Sequence, residues 1–380
     1  MKIRSRGNLH KPDYTLVATL AVIVIFGLIM LSSASTVLAY QKFNDSYFYL
    51  KHQLLFGVLF GVAGCIIISR VDYHLWKKFA FPLMIATIIA LVMVLIPGIG
   101  FEYGGARRWI NFGVFLLQPS EVAKFTFLMY LATWLENRDR KNVSDLTYGF
   151  VPFVTLLGII GLLIMLQPDM GTMSVITIIA LSIYFIGGAH LAHVGLFTLS
   201  GLGLLGLLIK IAPYRVARLT TFLNPELDPQ GIGYHINQAL LAIGSGGIFG
   251  LGLGHSRQKY NYLPEVTGDS IFAVMAEELG FVLATAFILL YFYLMLRCFR
   301  VAKNAPDTFG RLIAVGITVW FLFQMCVNIG AMVSLLPLTG IPLPFVSYGS
   351  SAMITSFLAI GILINISRQT KNNGTEKRKR

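Results

Sequence analysis

The residue types best suited to chemistry in this chain are one carboxylate and a scattering of cations. Asp269, within Gly268-Asp269-Ser270, stands where a long apolar run begins. A carboxylate there can finish a helix as its N-cap or, with an oxygen to spare, take a proton as a general base. Arg107 and Arg108 adjoin Trp109 in the stretch Gly104–Asn111. Guanidinium forks match phosphate oxygens and could clamp a pyrophosphate, yet the same trio equally suits an interfacial belt against lipid headgroups. Glu121 and Lys124 open another apolar run after Gln118-Pro119-Ser120. Three residues apart, they share a helix face, and an ionisable pair at that depth faces protein or a wet cavity. Both a functional role and simple pairing are open for them. Glu277 and Glu278 lie about two helical turns beyond Asp269, and at least one must turn inward. Asp169, in Gln167-Pro168-Asp169-Met170-Gly171, reads as the cap of a tight turn.

Holding these groups falls to membrane helices. Of 380 residues, 56% are hydrophobic and only 12% charged, about half the charge of an ordinary soluble domain. Runs long enough to span a bilayer fall near Thr15–Ala39, Leu50–Ser69, Phe79–Ile96, Pro119–Leu135, Phe150–Leu166 and Thr172–Ile186. Four more fall near Leu191–Ile211, Ser270–Leu296, Leu312–Leu336 and Ser351–Ile366. The expected fold class is therefore all-α: a polytopic membrane protein of about ten transmembrane helices with one long extracytoplasmic loop. Residues 1–13 form an N-terminal tail, 14–366 the membrane domain with its outer loop 212–269, and 367–380 a basic tail. The first run is too long for a signal-peptide core and reads as a retained helix. About two thirds of the Lys and Arg fall on the side of the termini, which predicts both termini to be cytoplasmic.

Composition also excludes. The net charge of +13 looks suited to DNA, but charges spread between apolar runs build no basic groove, so nucleic acid is not a partner. Cys65, Cys298 and Cys326 lack paired spacing, which argues against disulfides and zinc. Glycines crowd 231–254 (Gly244, Gly246, Gly247, Gly250, Gly252, Gly254) without a preceding strand, so they are not a nucleotide fingerprint. His235–Ile243 is weakly amphipathic and fits a helix on the membrane surface. The segment Leu336–Ser351 carries no charge but holds Pro337, Pro342 and Pro344. Such irregular apolar chain is tolerated at membrane depth only when it is buried in protein or lines a cavity, which hints at an outward-opening substrate site. A solute transporter is disfavoured because charges near mid-membrane are scarce.

Several stretches together resemble the SEDS family (shape, elongation, division and sporulation). They are Gly105-Ala106-Arg107-Arg108-Trp109-Ile110, Gln118-Pro119-Ser120-Glu121, Gln167-Pro168-Asp169-Met170-Gly171-Thr172 and Ala242-Ile243-Gly244-Ser245-Gly246-Gly247. Tyr262-Leu263-Pro264-Glu265, Ile271-Phe272-Ala273-Val274, Glu277-Glu278-Leu279-Gly280 and Pro342-Leu343-Pro344-Phe345-Val346-Ser347-Tyr348-Gly349 complete the set. Ala106-Arg107-Arg108 and Ser256-Arg257-Gln258-Lys259 look more like the division branch, FtsW, than the elongation branch, RodA. One departure is Gly268-Asp269-Ser270, where the family usually has Thr-Asp-Phe. The resemblance implies a peptidoglycan glycosyltransferase that polymerises lipid II on the outer face of the bacterial plasma membrane, at the division septum, and releases undecaprenyl diphosphate. It implies Asp269 as the catalytic base acting on the GlcNAc 4-hydroxyl, with inversion. Arg107, Arg108, Arg215, Lys259 and Lys124 would hold the diphosphate, with Glu121 orienting Lys124. His235, Gln238, Glu278 and Ser347 join them as substrate-binding candidates. No resident cofactor is expected; a divalent cation, Mg2+ or Mn2+, suits the leaving group, but no ligand spacing demands one. The implied partners are lipid II, the undecaprenyl-linked glycan, a class B penicillin-binding transpeptidase and other divisome proteins. A lipid II flippase and a non-enzymatic division scaffold are the alternatives.

Overall fold

The computed structural model describes residues 11–103, 105–113, 115–211, 213–224, 228 and 231–370. Side chains at 103, 202, 204, 205, 207–211, 213–215, 218, 219 and 232 lie outside that description, as does the basic stretch Lys371–Arg380. Among the described residues seven helical segments are long and apolar enough to cross a membrane. They are α1 (Tyr14–Phe43), Phe48–Arg70, Tyr73–Leu95, Leu146–Met165, α12 (Ile271–Lys303), α13 (Thr308–Met332) and α14 (Ser350–Gln369). The segment Phe48–Arg70 joins α2 (Phe48–His52) to α3 (Phe60–Arg70) through a π-helical stretch, Gln53–Leu59. Tyr73–Leu95 contains α4 (Trp76–Leu95), and Leu146–Met165 contains α7 (Val151–Met165). The other three apolar runs form α5 (Pro119–Glu136), α8 (Met170–Ile186) and α9 (Leu191–Ile211). The fold is that of a multi-pass helical membrane protein.

Glycines set the closest helix contacts. A Cβ at Gly61 would lie 2.5 Å from Phe357, and one at Gly361 would lie 2.9 Å from the Cys65 carbonyl. Small residues thus let α3 and α14 approach where lipid offers no hydrophobic drive.

At the end carrying the termini, a short helix α6 (Arg140–Val143) caps one loop, and a polar clasp ties two others. Asp307 N-caps α13 through the Gly310 N–H (2.7 Å) and accepts from Tyr73 Oη (2.5 Å), while His74 Nε2 lies 2.6 Å away. Burial pushes the Asp307 carboxyl up, but donors from His74, Tyr73 and Gly310 outweigh it and hold it down at about 2. Because the folded value lies below the unfolded one, the stabilisation is complete above about pH 4 and vanishes as pH falls through about 2. Asp307→Asn keeps the helix cap, so it should remove on the order of 2 kcal/mol at neutral pH and flatten the pH dependence of thermal unfolding between pH 4 and 2.

The opposite end, called here the far end, differs from an all-helical expectation in one place. Between α4 and α5 a small antiparallel sheet forms, in the order β1 (Gly100–Tyr103), β2 (Ala106–Asn111), β3 (Leu116–Leu117). The long segment before α12 is not a bare loop either: it folds into α10 (Pro213–Leu223) and α11 (Ile232–Ser245). α11 exceeds the predicted His235–Ile243, burying Ile236, Ala239 and Ala242 while leaving Leu240 and Leu241 exposed. Its main neighbour is α12, so it is docked on the bundle.

α12 is broken. Gly280 has φ 74° and ψ −179°, which splits the helix beneath Glu277 and Glu278. The backbone groups freed by the break are met by the glycine-rich chain that follows α11. Leu251 and Gly252 N–H donate to the Glu277 and Glu278 carbonyls (both 3.0 Å), and Phe281 N–H donates to Gly247 (2.9 Å). A Cβ at Gly250 would sit 2.2 Å from the Glu278 carbonyl oxygen. Those glycines serve backbone-to-backbone contact inside a membrane helix, where every polar group must find a partner.

Candidate active site

Asp269 sits just before α12, but it does not cap it. The cap position belongs to Ser270, whose hydroxyl instead meets His235 Nε2 at 2.6 Å. The Asp269 side chain is half-buried. Its backbone is bolted down: Asn328 Nδ2, from within α13, donates to the Asp269 and Ile341 carbonyls at 2.8 Å each. Ser347 Oγ donates to the Gly268 carbonyl (2.6 Å) while accepting from Leu343 N–H (2.8 Å). Tyr348 N–H donates to the Thr267 carbonyl at 2.8 Å. The irregular segment 333–349 is thus the wall against which Asp269 is set, as its proline-rich apolar sequence suggested. Gly340, at φ 70°, brings its backbone against the carboxylate: a Cβ there would stand 3.9 Å from Asp269 Oδ2.

Charge gathers on the same spot. Burial first, then the Asp269 charge, raises the Glu265 carboxyl above the usual range, with His235 and Lys42 opposing. Glu265 stays open to solvent at one edge. Glu265, Lys42, Gly340 and Asn328 were not among the predicted site residues. Glu265 had a signal in the Tyr262–Glu265 stretch, and Asn328 had another: an amide stranded in an otherwise apolar span needs buried partners.

The two arginines part company. Successive side chains on a strand point to opposite faces, and β2 carries both. Arg107 pairs with Glu102 across the β1–β2 hairpin (Nε to Oε2, 3.0 Å). Arg108 instead holds the turn before α8, donating to the Gln167 (3.0 Å) and Pro168 (2.6 Å) carbonyls. That turn is capped by Asp169, as expected, through the Thr172 N–H at 3.0 Å. A Cβ on Gly171 would press on Ile341 (2.8 Å) and the Thr339 carbonyl (3.0 Å). Arg108 therefore buttresses the wall of the site, and a joint guanidinium clamp is not formed.

Glu121 and Lys124 do pair, at 2.7 Å, and both are almost wholly buried. Lys124 Nζ also reaches Gln324 Oε1 (3.4 Å) and lies 5.1 Å from the Trp320 ring centre. Beside them, under Pro342–Phe345, is a cavity of about 10 Å³, room for about one water. The pair thus lies beside the 333–349 wall.

Lys259 is likewise committed. Its ammonium donates to Glu278 Oε1 (3.0 Å), Gly254 O (2.7 Å) and Ser33 Oγ (3.2 Å), which uses all three N–H groups. In this state Lys259 has no donor left for a diphosphate. Glu277 accepts from Arg257 N–H at 2.9 Å and from Ser256 Oγ. Together the two glutamates pin the chain 254–259 to the upper half of α12. Lys259→Met should cost about 3–5 kcal/mol by stranding Glu278, and adding Glu278→Gln should recover most of it, read as thermal unfolding of both variants. His235 and Gln238 share one side of α11, with His235 directed to Ser270. Arg215 belongs to α10, and its side chain lies outside the described set.

Residues 13–372 match the FtsW/RodA/SpoVE family, described as cell cycle proteins. The chain belongs to that family. It is 44% identical over 361 residues to stage V sporulation protein E of Bacillus subtilis, covering 95% of this chain and 98% of that one. It is 41% identical over 369 residues to a probable peptidoglycan glycosyltransferase FtsW of Trichlorobacter lovleyi, covering 96% of each. Among solved structures, a chain from work on the coordination of polymerization and crosslinking by a peptidoglycan synthase complex superposes with a TM-score of 0.77. That chain is 28% identical, and the match covers 94% of this protein and 98% of its counterpart. Family membership and the division-type likeness agree with the motifs read from the sequence.

Proposed function

We propose that this membrane protein is a peptidoglycan glycosyltransferase that joins lipid II units at the outer face of the bacterial plasma membrane, with Asp269 as general base. The observation that carries the reading is the placement of Asp269: half-buried at the head of α12, and held by its backbone against an irregular wall at the far end of the bundle. The acceptor GlcNAc 4-hydroxyl gives its proton to the carboxylate as its oxygen bonds to C1 of the donor sugar. The C1–phosphate bond breaks on the opposite side, undecaprenyl diphosphate leaves with the electron pair, and C1 inverts.

The leaving diphosphate needs positive charge. Lys42, close enough to act on Glu265, and the remaining guanidinium donors of Arg107 and Arg108 are the cations this reading assigns to it. A divalent cation such as Mg2+ or Mn2+ would neutralise the same group. Among the described residues no three His, Cys, Asp or Glu side chains gather to hold one unaided, so it would be shared with the substrate's own phosphates. The termini lie in the cytoplasm, the enzyme works at the septum, and its partner is a class B penicillin-binding transpeptidase that cross-links the strand. The names carried by the FtsW relatives and the synthase-complex neighbour support the enzyme and transpeptidase-partner assignments.

Purified protein mixed with lipid II, with and without the transpeptidase, and resolved on a gel is the test. A ladder of glycan polymer supports the reading. Lipid translocation with no polymer would point to a flippase, and neither activity to a scaffold.

A further inference from the structure

A cavity lies far from Asp269, at the end that carries the termini. It has a volume of about 400 Å³ and is lined by Lys11, Asp13, Arg300, Asn304, Ser367 and Thr370. Three helix ends meet there: the start of α1, the end of α12 and the end of α14. Asp13 adds no net negative charge, because Arg297 Nη2 holds both of its oxygens at 2.5 and 2.6 Å and its Oδ1 also accepts from Leu16 N–H. Lys11 and Arg300 have no ion-pair partner among the described residues. The cavity is therefore cationic, with the Asn304 amide and two hydroxyls at its rim.

We propose that this cavity binds the phosphate of an acidic phospholipid headgroup. Two observations favour a lipid over a free phosphate. The cavity opens where three membrane spans end, at headgroup height, and Tyr14, Leu296 and Phe299 on those same helix ends are exposed and apolar (62%, 63% and 56%), a surface suited to acyl chains. The sequence flanking the cavity is also basic on both sides. Lys2, Arg4 and Arg6 precede Lys11; Lys371, Lys377, Arg378, Lys379 and Arg380 follow Thr370. Basic pockets between helices beside polybasic segments suit anionic headgroups. The site is independent of the glycosyltransferase reading and would tie both termini to the lipid composition of one leaflet.

The test uses full-length protein in phosphatidylcholine nanodiscs doped with phosphatidylglycerol, with retained lipid counted by native mass spectrometry. Wild type should keep one phosphatidylglycerol. Lys11→Gln and Arg300→Gln should each weaken retention about fivefold, and the double variant roughly 25-fold. Thr370→Glu, which places a carboxylate at the rim, should also release the lipid. Lys141→Gln, an exposed charge on the same end, should change nothing. Equal retention by wild type and the double variant overturns the proposal, as does an equal loss with Lys141→Gln. Displacement of the lipid by millimolar inorganic phosphate, or binding of a polyglutamate peptide in neutral nanodiscs, would overturn the lipid assignment.

Discussion

Asp269→Ala should abolish glycan-strand synthesis and leave the protein folded. Loss of a positioned general base costs about 10²–10⁴ in rate, enough to erase a polymer ladder on a gel. The structure separates this effect from damage to the fold. The cap position of α12 belongs to Ser270. The Asn328 and Ser347 bonds reach the Asp269 and Gly268 carbonyls, which any substitution at 269 retains. Asp269→Asn, which keeps the shape and one hydrogen-bonding oxygen of the carboxylate, should therefore stay close to wild type in thermal unfolding. Asn328→Ala offers the contrast: it releases the Asp269 and Ile341 carbonyls and should lower both stability and rate. Normal polymer from Asp269→Asn would remove the carboxylate from the chemistry, and a large loss of stability would make it a structural residue after all.

The membrane helices were legible because run length alone decides whether a segment can span a bilayer. The wall around Asp269 was legible for a related reason, since Pro337, Pro342 and Pro344 forbid a helix in a segment too apolar for open water. The roles of the cations were not. Adjacent arginines look like a pair in sequence, and only the β1–β2 register, with Glu102 opposite Arg107, sends them apart. Lys259 looked available because its partners lie at Ser33, Gly254 and Glu278, two of them distant along the chain. The glycine-rich stretch did not read as a phosphate loop, and the purpose it does show depends on a break at Gly280 that lies about thirty residues later. Contacts that depend on chain crossing, rather than on local composition, are the ones that a single sequence hides.

The break at Gly280 carries the largest expected effect on folding. Its φ of 74° with ψ near 180° belongs to a region that is essentially glycine-only. A Cβ would lie 2.2 Å from the Gly250 nitrogen and 2.5 Å from the Phe249 carbonyl carbon. Neither is a flexible side-chain tip, so relief requires the loop to move. Moving it breaks the bonds from Leu251, Gly252, Phe281 and Val282, which exposes backbone groups at membrane depth where each is costly. Gly280→Ala should cost more than about 4 kcal/mol, seen as loss of monodisperse protein and new protease cleavage between 247 and 260. Gly244→Ala is the control, because a Cβ there meets nothing within 4 Å and the residue is helical. It should be neutral or slightly stabilising, by about 0.4–1 kcal/mol. If Gly280→Ala instead behaves like Gly244→Ala, α12 runs unbroken in solution. The pinning of Glu277 and Glu278, and with it the platform beneath Asp269, would then need another explanation.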